Sequence, residues 1–272
     1  MRVSRGAAIS LRTIALLYLG LLLLLPLGLI FERTFEHGFS QAWGWMTTPA
    51  AISALWLTIL IALIAVPLNT IFGIVCAHAL VRGKARGRAI LDSLIDLPFV
   101  VSPVIVGLAL ILVYGTTGWF GNWFLQHGIR IIFAPTGMIL ATIFVSLPFV
   151  VREVAPVMLE AGEQQEEAAA TLGASNMQTF WRITLPAVRW GVAYGVILTT
   201  ARALGEIGAV LVVSSNVAGS TLTLPLLVYQ RDSQIGASAT SGTYAAATEL
   251  IVLSLAVLVL MTVLGSRREN VK

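Results

Sequence analysis

The sequence predicts an all-α integral membrane protein of about six transmembrane helices. Of its 272 residues 57% are hydrophobic and only 11% charged, too little charge to keep a soluble domain of this length in solution. The apolar residues gather into runs of about 20, long enough to cross a hydrocarbon layer. No stretch alternates as a barrel strand would, which leaves helices as the spanning element. A formal net charge of +4 would point to nucleic acid in a polar protein; here it fits basic residues retained on the inner side of a membrane. Cys76 is the single cysteine, so an intrachain disulfide and a Cys-based metal site are both excluded.

The first span reads from Arg12 to about Ile30, with Leu21–Leu25 ahead of Pro26. Arg2, Arg5 and Arg12 resemble the start of a signal peptide, but the apolar stretch is long and bulky charged residues (Phe31, Glu32, Arg33) follow it, so a retained helix is expected. The second span covers Ile52 to Leu80, with Pro67 and Asn69 expected to interrupt it. The third covers Ile90 to Val113, opening on Asp92 and Asp96 and carrying Pro98 and Pro103. The fourth runs from Pro135 to Val157 and the fifth from Trp190 to Val213. A Gly/Ser/Thr-rich loop, Ser214–Thr243, precedes a sixth span from Tyr244 to Leu264. Leu97-Pro98-Phe99-Val100-Val101 recurs as Leu147-Pro148-Phe149-Val150-Val151, an echo too short to establish an internal repeat.

Orientation follows from the basic residues. With six spans and an inside N-terminus, thirteen of the 17 Lys and Arg fall inside: Arg2, Arg5, Arg12, Arg82, Lys84, Arg86, Arg88, Arg152, Arg182, Arg189, Arg267, Arg268 and Lys272. Outside are Arg33, Arg130 and Arg231, and Arg202 lies within a span. Both termini are therefore expected in the cytoplasm, with Trp43, Trp45, Trp119 and Trp123 in outer loops where interfacial aromatics belong.

The polar interval between the fourth and fifth spans, residues 158–189, is the most informative. Gln164 to Leu172 is rich in Ala, Glu and Gln and predicts a helix, with glutamates in the first turn to suit its dipole. Gly173 can end it in a left-handed cap. A second short helix from Asn176 to about Thr184 presents Met177, Phe180 and Trp181 as an apolar face, and Pro186 is expected to turn the chain back into the membrane. Physically this is a helical hairpin at the membrane surface. Two readings remain open at this point: an amphipathic hairpin resting on lipid, or a helix that docks in a groove of a cytoplasmic partner.

The spacing Glu167-Ala168-Ala169, then Gly173, then Ile183-Thr184-Leu185-Pro186 resembles the EAA signature of permease subunits of ABC importers. That resemblance implies a type I importer permease fold, and implies that the loop is a coupling helix inserted into a cleft of a separate ATP-binding subunit, two copies of which would drive the pore between inward and outward access. The chain itself has no G-x-x-x-x-G-K-[ST] phosphate loop; Gly83-Lys84-Ala85-Arg86-Gly87 lacks the spacing and the hydroxyl. ATP and magnesium would then sit on the partner, with no cofactor, metal or catalytic residue in this chain.

Further stretches resemble the sulfate/thiosulfate branch of that superfamily, of the CysW type: Asp96-Leu-Pro-Phe-Val-Val-Ser-Pro-Val, Pro148-Phe-Val-Val-Arg-Glu-Val-Ala-Pro-Val, Thr171-Leu-Gly-Ala-Ser with Gln178-Thr-Phe-Trp-Arg, and Ala201-Arg-Ala-Leu-Gly-Glu-Ile-Gly-Ala. The last element is shared with molybdate and tungstate permeases, which keeps that oxyanion class as an alternative. Ile207 stands where Phe is usual, and the family's extended charged tail is not present. The likeness divides the chain into an N-terminal helix and outer loop (1–50), the permease transmembrane domain (51–265) and a short tail (266–272). It implies a CysT-type second permease in a heterodimeric pore and an extracytoplasmic sulfate- or thiosulfate-binding protein.

Arg202 and Glu206 lie four apart on the fifth span, hence on one helix face. Each charge alone would cost about 2.5–3.5 kcal/mol at the bilayer centre. They read either as a structural ion pair or as the place where Arg202 faces a path for a divalent anion. Asp92 is expected to pair with Arg86 or Arg88, and Glu249 to lack a local partner. Gly191 and Gly195 form a small-xxx-small pair suited to close helix contact. A membrane-embedded enzyme is disfavoured, because His37, His78 and His127 are the only histidines and no catalytic carboxylate pair is evident. A gradient-driven secondary transporter is the remaining alternative.

Overall fold

In the computed structural model the described residues are 5–83, 87–234 and 237–266, and among them every regular element is a helix. Arg2, Lys84, Arg86, Arg267, Arg268 and Lys272, which enter the orientation argument, lie outside the described residues, as does the tail beyond Ser266. Four helices are long and apolar enough to cross a bilayer by themselves, and two bent pairs bring the number to six.

The first span, α1 (Leu11–Phe35), is peripheral: none of its most apolar window is buried within the chain. A π-helical turn at Gly20–Leu24 precedes Pro26, which accommodates the missing proline N–H and the ring's clash with the preceding turn. Its far end is pinned by a hydrogen bond between Thr34 Oγ1 and Thr248 Oγ1 at 2.7 Å. After the short α2 (Phe39–Met46), α3 (Pro49–Arg82) runs unbroken for 34 residues, capped by Thr48. The expected interruption at Pro67 and Asn69 is absent. Thr70 Oγ1 donates to the Val66 carbonyl at 2.8 Å, and Asn69, fully buried, donates to Ser146 Oγ (2.8 Å) and the Ile143 carbonyl (3.1 Å) of α7. Proline is tolerated inside a membrane helix when neighbours supply such bonds.

The third span is not one helix. α4 (Arg88–Val100) and α5 (Pro103–Tyr114) meet at 111°. Pro103 forces extended backbone on Ser102 (φ −58°, ψ 136°), so the helix cannot continue through it. Beyond the short outer helix α6 (Gly121–Gln126), α7 (Pro135–Ala161) is the central post, packed against both α3 and α10 (Arg189–Leu204). The surface hairpin between α7 and α10 consists of α8 (Gln164–Thr171) and α9 (Asn176–Ala187).

The fifth span stops at Leu204, short of the expected Val213. Gly205–Ile207 breaks it, and the short α11 (Gly208–Val213) continues against α5. The two breaks face each other: a Cβ on Gly208 would lie 2.9 Å from Pro103. The loop that follows is partly helical rather than open. α12 (Leu224–Asp232) buries Leu224, Leu226 and Leu227. Its Arg231, expected in solvent, is buried, donating to the Gly242 carbonyl (2.8 Å) and Thr48 Oγ1 (3.1 Å) over the Trp45 ring. The last helix, α13 (Ala237–Ser266), carries Glu249 half-buried, with its Oε2 finding no hydrogen-bond partner among the described residues.

The five-residue echo is not a structural repeat. Val100 is 85% exposed at the α4 bend, whereas Val150 is fully buried in the straight α7; the two copies touch through Phe99 and Phe149, rings 5.4 Å apart. Val150 lies where α3, α7 and α10 come closest, because a Cβ on Gly73 would sit 2.6 Å from its Cβ and one on Gly195 2.9 Å from its Cα. Overpacking of a tight core costs about 1–3 kcal/mol. Gly73→Ala and Gly195→Ala should therefore each lower the thermal unfolding midpoint of the detergent-solubilised protein, whereas Gly44→Ala, with open space around it, should leave it unchanged.

Candidate functional site: the helical hairpin between the fourth and fifth spans

Local rules build this hairpin. α8 spans Gln164–Thr171 with Glu166 and Glu167 in its first turn, as its composition predicts. It ends in a full Schellman motif. Gly173 has φ +85°, its N–H donates to the Ala170 carbonyl, and the Ala174 N–H donates to the Ala169 carbonyl, both at 3.0 Å. A Cβ at Gly173 would meet nothing within 4 Å, so the backbone conformation, not space, requires glycine here.

Ser175 and Gln178 close a capping box on α9: Gln178 N–H donates to Ser175 Oγ (3.3 Å) and Ser175 N–H to Gln178 Oε1 (2.9 Å). The Ser-x-x-Gln spacing is the sequence signal that would have found it. Phe180–Thr184 adopts a π-helical turn ahead of Pro186. Pro186 does not itself redirect the chain, since the π turn absorbs it; the 69° bend into α10 comes at Val188, which is buried.

The predicted apolar face is divided. Met177 and Trp181 are 67% and 60% exposed and fixed to each other, Trp181 Nε1 donating to Met177 Sδ at 3.2 Å. Phe180 instead turns inward, edge-on to His78 of α3 with centroids 6.1 Å apart. Leu172, 87% exposed, joins the ridge and was not anticipated. Glu167 and Ala168 are exposed, Ala169 is buried beneath them, and Pro186 is exposed. Ile183 and Leu185 are half-buried, Leu185 against the cluster of Val154, Met158 and Val188.

The charge that fastens the hairpin is Glu166, beside the signature glutamate. Arg82, the last residue of α3, donates Nε to Glu166 at 2.9 Å, and Thr184 Oγ1 of α9 donates to the same carboxylate at 2.8 Å. The Arg82 guanidinium also donates to the carbonyls of Gly162 (2.6 Å) and Met158 (3.3 Å), the unpaired C-terminal acceptors of α7. One planar fork thus joins the ends of α3 and α7 to the start of α8 and the exit helix, a geometry that lysine lacks. Both side chains are mostly buried, 12% and 19% exposed.

Deeper in the membrane, Arg202 and Glu206 do form an ion pair, Nη1 to Oε2 at 2.5 Å. Glu206 is buried and its Oε1 accepts the Ala209 N–H at 2.8 Å, capping α11. Arg202 is part-exposed on the open face of α10 that also carries Tyr194 and Leu198. Glu206 is therefore structural, holding the break in the fifth span, while Arg202 alone reaches an open surface. Asp92 and Asp96 both pair with Arg152 of α7, 2.9 Å from Asp92 and closer still to Asp96. The distant α7 arginine takes the role expected of Arg86 or Arg88, of which Arg86 lies outside the described residues. Among the described residues no group of His, Cys, Asp and Glu is arranged to hold a metal ion.

Fold and hairpin define a class, a polytopic membrane protein with a capped helical hairpin between its fourth and fifth spans. Residues 69–270 match the family described as "Binding-protein-dependent transport system inner membrane component", and the chain belongs to that family. It is 50% identical over 262 residues to the sulfate transport system permease protein CysW of Synechocystis sp., covering 95% of this chain and 93% of that protein. It is 37% identical to CysT of the same organism, covering 92% and 86%. Among solved structures, a permease chain of a bacterial alginate ABC transporter in complex with alginate-bound periplasmic protein superposes with a TM-score of 0.78 at 19% identity, over 96% of this chain and 93% of that one. That likeness establishes the type I importer fold.

If Arg82 and Glu166 anchor the hairpin, losing their charged hydrogen bonds costs about 1.5–3 kcal/mol each. Hydrogen exchange of amides 164–187 should then be faster in Arg82→Lys and Glu166→Gln than in the unaltered protein. Glu167→Gln, at an exposed carboxylate, should not change it.

Proposed function

We propose that this chain is a permease subunit of an ATP-driven importer of sulfate or thiosulfate. It forms half of the translocation pore and couples to a separate ATP-binding subunit through residues 158–189. The observation that carries this reading is the hairpin itself: a stretch with every anchor of the EAA signature is capped at both ends, clamped to two spans by Arg82, and exposes Leu172, Met177 and Trp181 where a partner's cleft would receive them. An exposed apolar helix face of this kind is the helix-in-groove mode of recognition. The 50% identity to a CysW protein favours sulfate and its analogue thiosulfate, and no observation favours molybdate or tungstate.

By the same reading the chain is not itself catalytic. ATP and magnesium belong to two copies of the partner, since the sequence has no phosphate loop. The hairpin side and both termini face the cytoplasm, in keeping with the basic residues on that side. The lower identity to CysT supports a heterodimeric pore in which a CysT-type chain is the second permease, fed by an extracytoplasmic binding protein that sets most of the selectivity. Arg202 on the open face of α10 supplies positive charge to a passing divalent anion. Its partner Glu206 keeps that attraction weak enough for release.

Radiolabelled sulfate uptake by proteoliposomes holding the full complex tests this. Uptake should require ATP inside the vesicle-equivalent cytoplasmic face and fall to background in Glu167→Lys and Trp181→Asp, with both proteins still present in the membrane. Uptake by this chain alone without ATP would establish the gradient-driven alternative and overturn the proposal.

A further inference from the structure

Beside the break in the fifth span lies a small cavity that serves neither the hairpin nor the open face of α10. It is lined by Glu206 of the break, Thr223 at the N-terminus of α12, Thr58 of α3 and Thr142 of α7, with apolar walls from neighbours such as Ile61 and Val210. Glu206 and Thr223 are each 3% exposed. Thr223 Oγ1 finds no hydrogen-bond partner among the described residues. Glu206 Oε2 lies 2.5 Å from Arg202 Nη1 in the ion pair and keeps a second lone pair. An unsatisfied hydroxyl beside a buried carboxylate, both bordering one cavity in the middle of a membrane protein, is a costly arrangement unless something joins them.

Size and hydrogen-bond inventory decide what that is. About 10 Å³ is open to the centre of a water-sized sphere, roughly what one molecule needs. A tetrahedral oxyanion is far larger. A cation is disfavoured because the Arg202 guanidinium already sits 2.5 Å from the same carboxylate oxygen. The hydroxyls divide their roles. Thr58 Oγ1 donates to the Ala54 carbonyl (2.8 Å) and accepts the Leu224 N–H (2.9 Å); Thr142 Oγ1 donates to the Met138 carbonyl (2.9 Å) and retains a free lone pair. Around the cavity this leaves lone pairs on Glu206 Oε2, Thr142 Oγ1 and Thr58 Oγ1, and one donor, the Thr223 hydroxyl.

We infer that this cavity is a binding site for a single ordered water that donates to Glu206 Oε2 and Thr142 Oγ1 and accepts from Thr223 Oγ1. Three bonds are the usual complement of a buried water. The water links the α10–α11 break, the start of α12 and the central α7, elements that do not otherwise share a polar contact at this point. A water can turn and exchange partners where a direct side-chain bond would have to break. The joint of the fifth span is thereby held without being locked.

The test is a structure of the complete transporter at a resolution that orders internal water, and it does not depend on which anion is carried. A peak 2.6–3.2 Å from both Glu206 Oε2 and Thr223 Oγ1 is the expected distance range. A direct Glu206–Thr223 hydrogen bond, a cavity without density, or a peak that acquires anomalous signal when sodium is replaced by rubidium or thallium would each overturn the inference. Thr223→Ser should retain the peak and the thermal midpoint of the complex. Thr223→Val, similar in shape but without the hydroxyl, should lose the peak and lower the midpoint; an unchanged peak and midpoint in Thr223→Val contradicts the site.

Discussion

Three membrane helices meet at Val150 only because Gly73 and Gly195 present no side chain to it, with Cβ positions that would fall 2.6 and 2.9 Å from Val150 atoms. In lipid there is little hydrophobic gain in bringing helices together, so close van der Waals packing at small residues carries the association. That contact sets where α3 and α7 end relative to each other, and so places the Arg82 guanidinium against the last carbonyls of α7 and the carboxylate of Glu166. The hairpin's position is a consequence of helix packing about two turns deeper in the membrane.

A second set of contacts organises the opposite half. The bends of the third and fifth spans lie back to back, Pro103 against Gly208, and α5 and α11 run together from there, with Gly107 admitting the Ala209 carbonyl and Val212 side chain. A helix broken in the membrane must satisfy its freed backbone groups within the protein. Glu206 does so for the Ala209 N–H, and Thr58 does so for the Leu224 N–H at the head of α12. The unit is a rigid three-helix post with a jointed outer half, and Arg202 stands at the joint.

Reading the sequence recovered what local chemistry decides. The limits of α8, the left-handed Gly173 and the start of α9 follow from propensity and capping within a few residues, and all were legible. The apolar spans were legible as runs, but hydropathy is equally satisfied on both sides of a break, so the bends at 101–102 and 205–207 were missed. Ser102-Pro103 did carry a signal for the first of them. Pro67 gave the opposite error, since α3 runs through it unbroken, packed along α7, a neighbour that no local pattern contains. Partners distant in sequence were out of reach: Arg82 with Glu166, Arg152 with Asp92 and Asp96, Arg231 with Gly242. Sequence proximity pointed Asp92 to Arg86 or Arg88, and the loop signature ran from Glu167 to Pro186 without Glu166, the carboxylate that Arg82 and Thr184 hold while Glu167 stays exposed.

The exposed ridge of the hairpin is the proposed contact with an ATP-binding subunit. Photo-crosslinking from position 181 in membranes containing the assembled transporter tests this contact, with position 119, also exposed and on the far side of the third span, as the control. An adduct between this chain and an ATP-binding polypeptide is expected from position 181 and none from position 119. Adducts from position 181 with lipid alone would contradict it, and would make the hairpin an element that rests on the membrane surface.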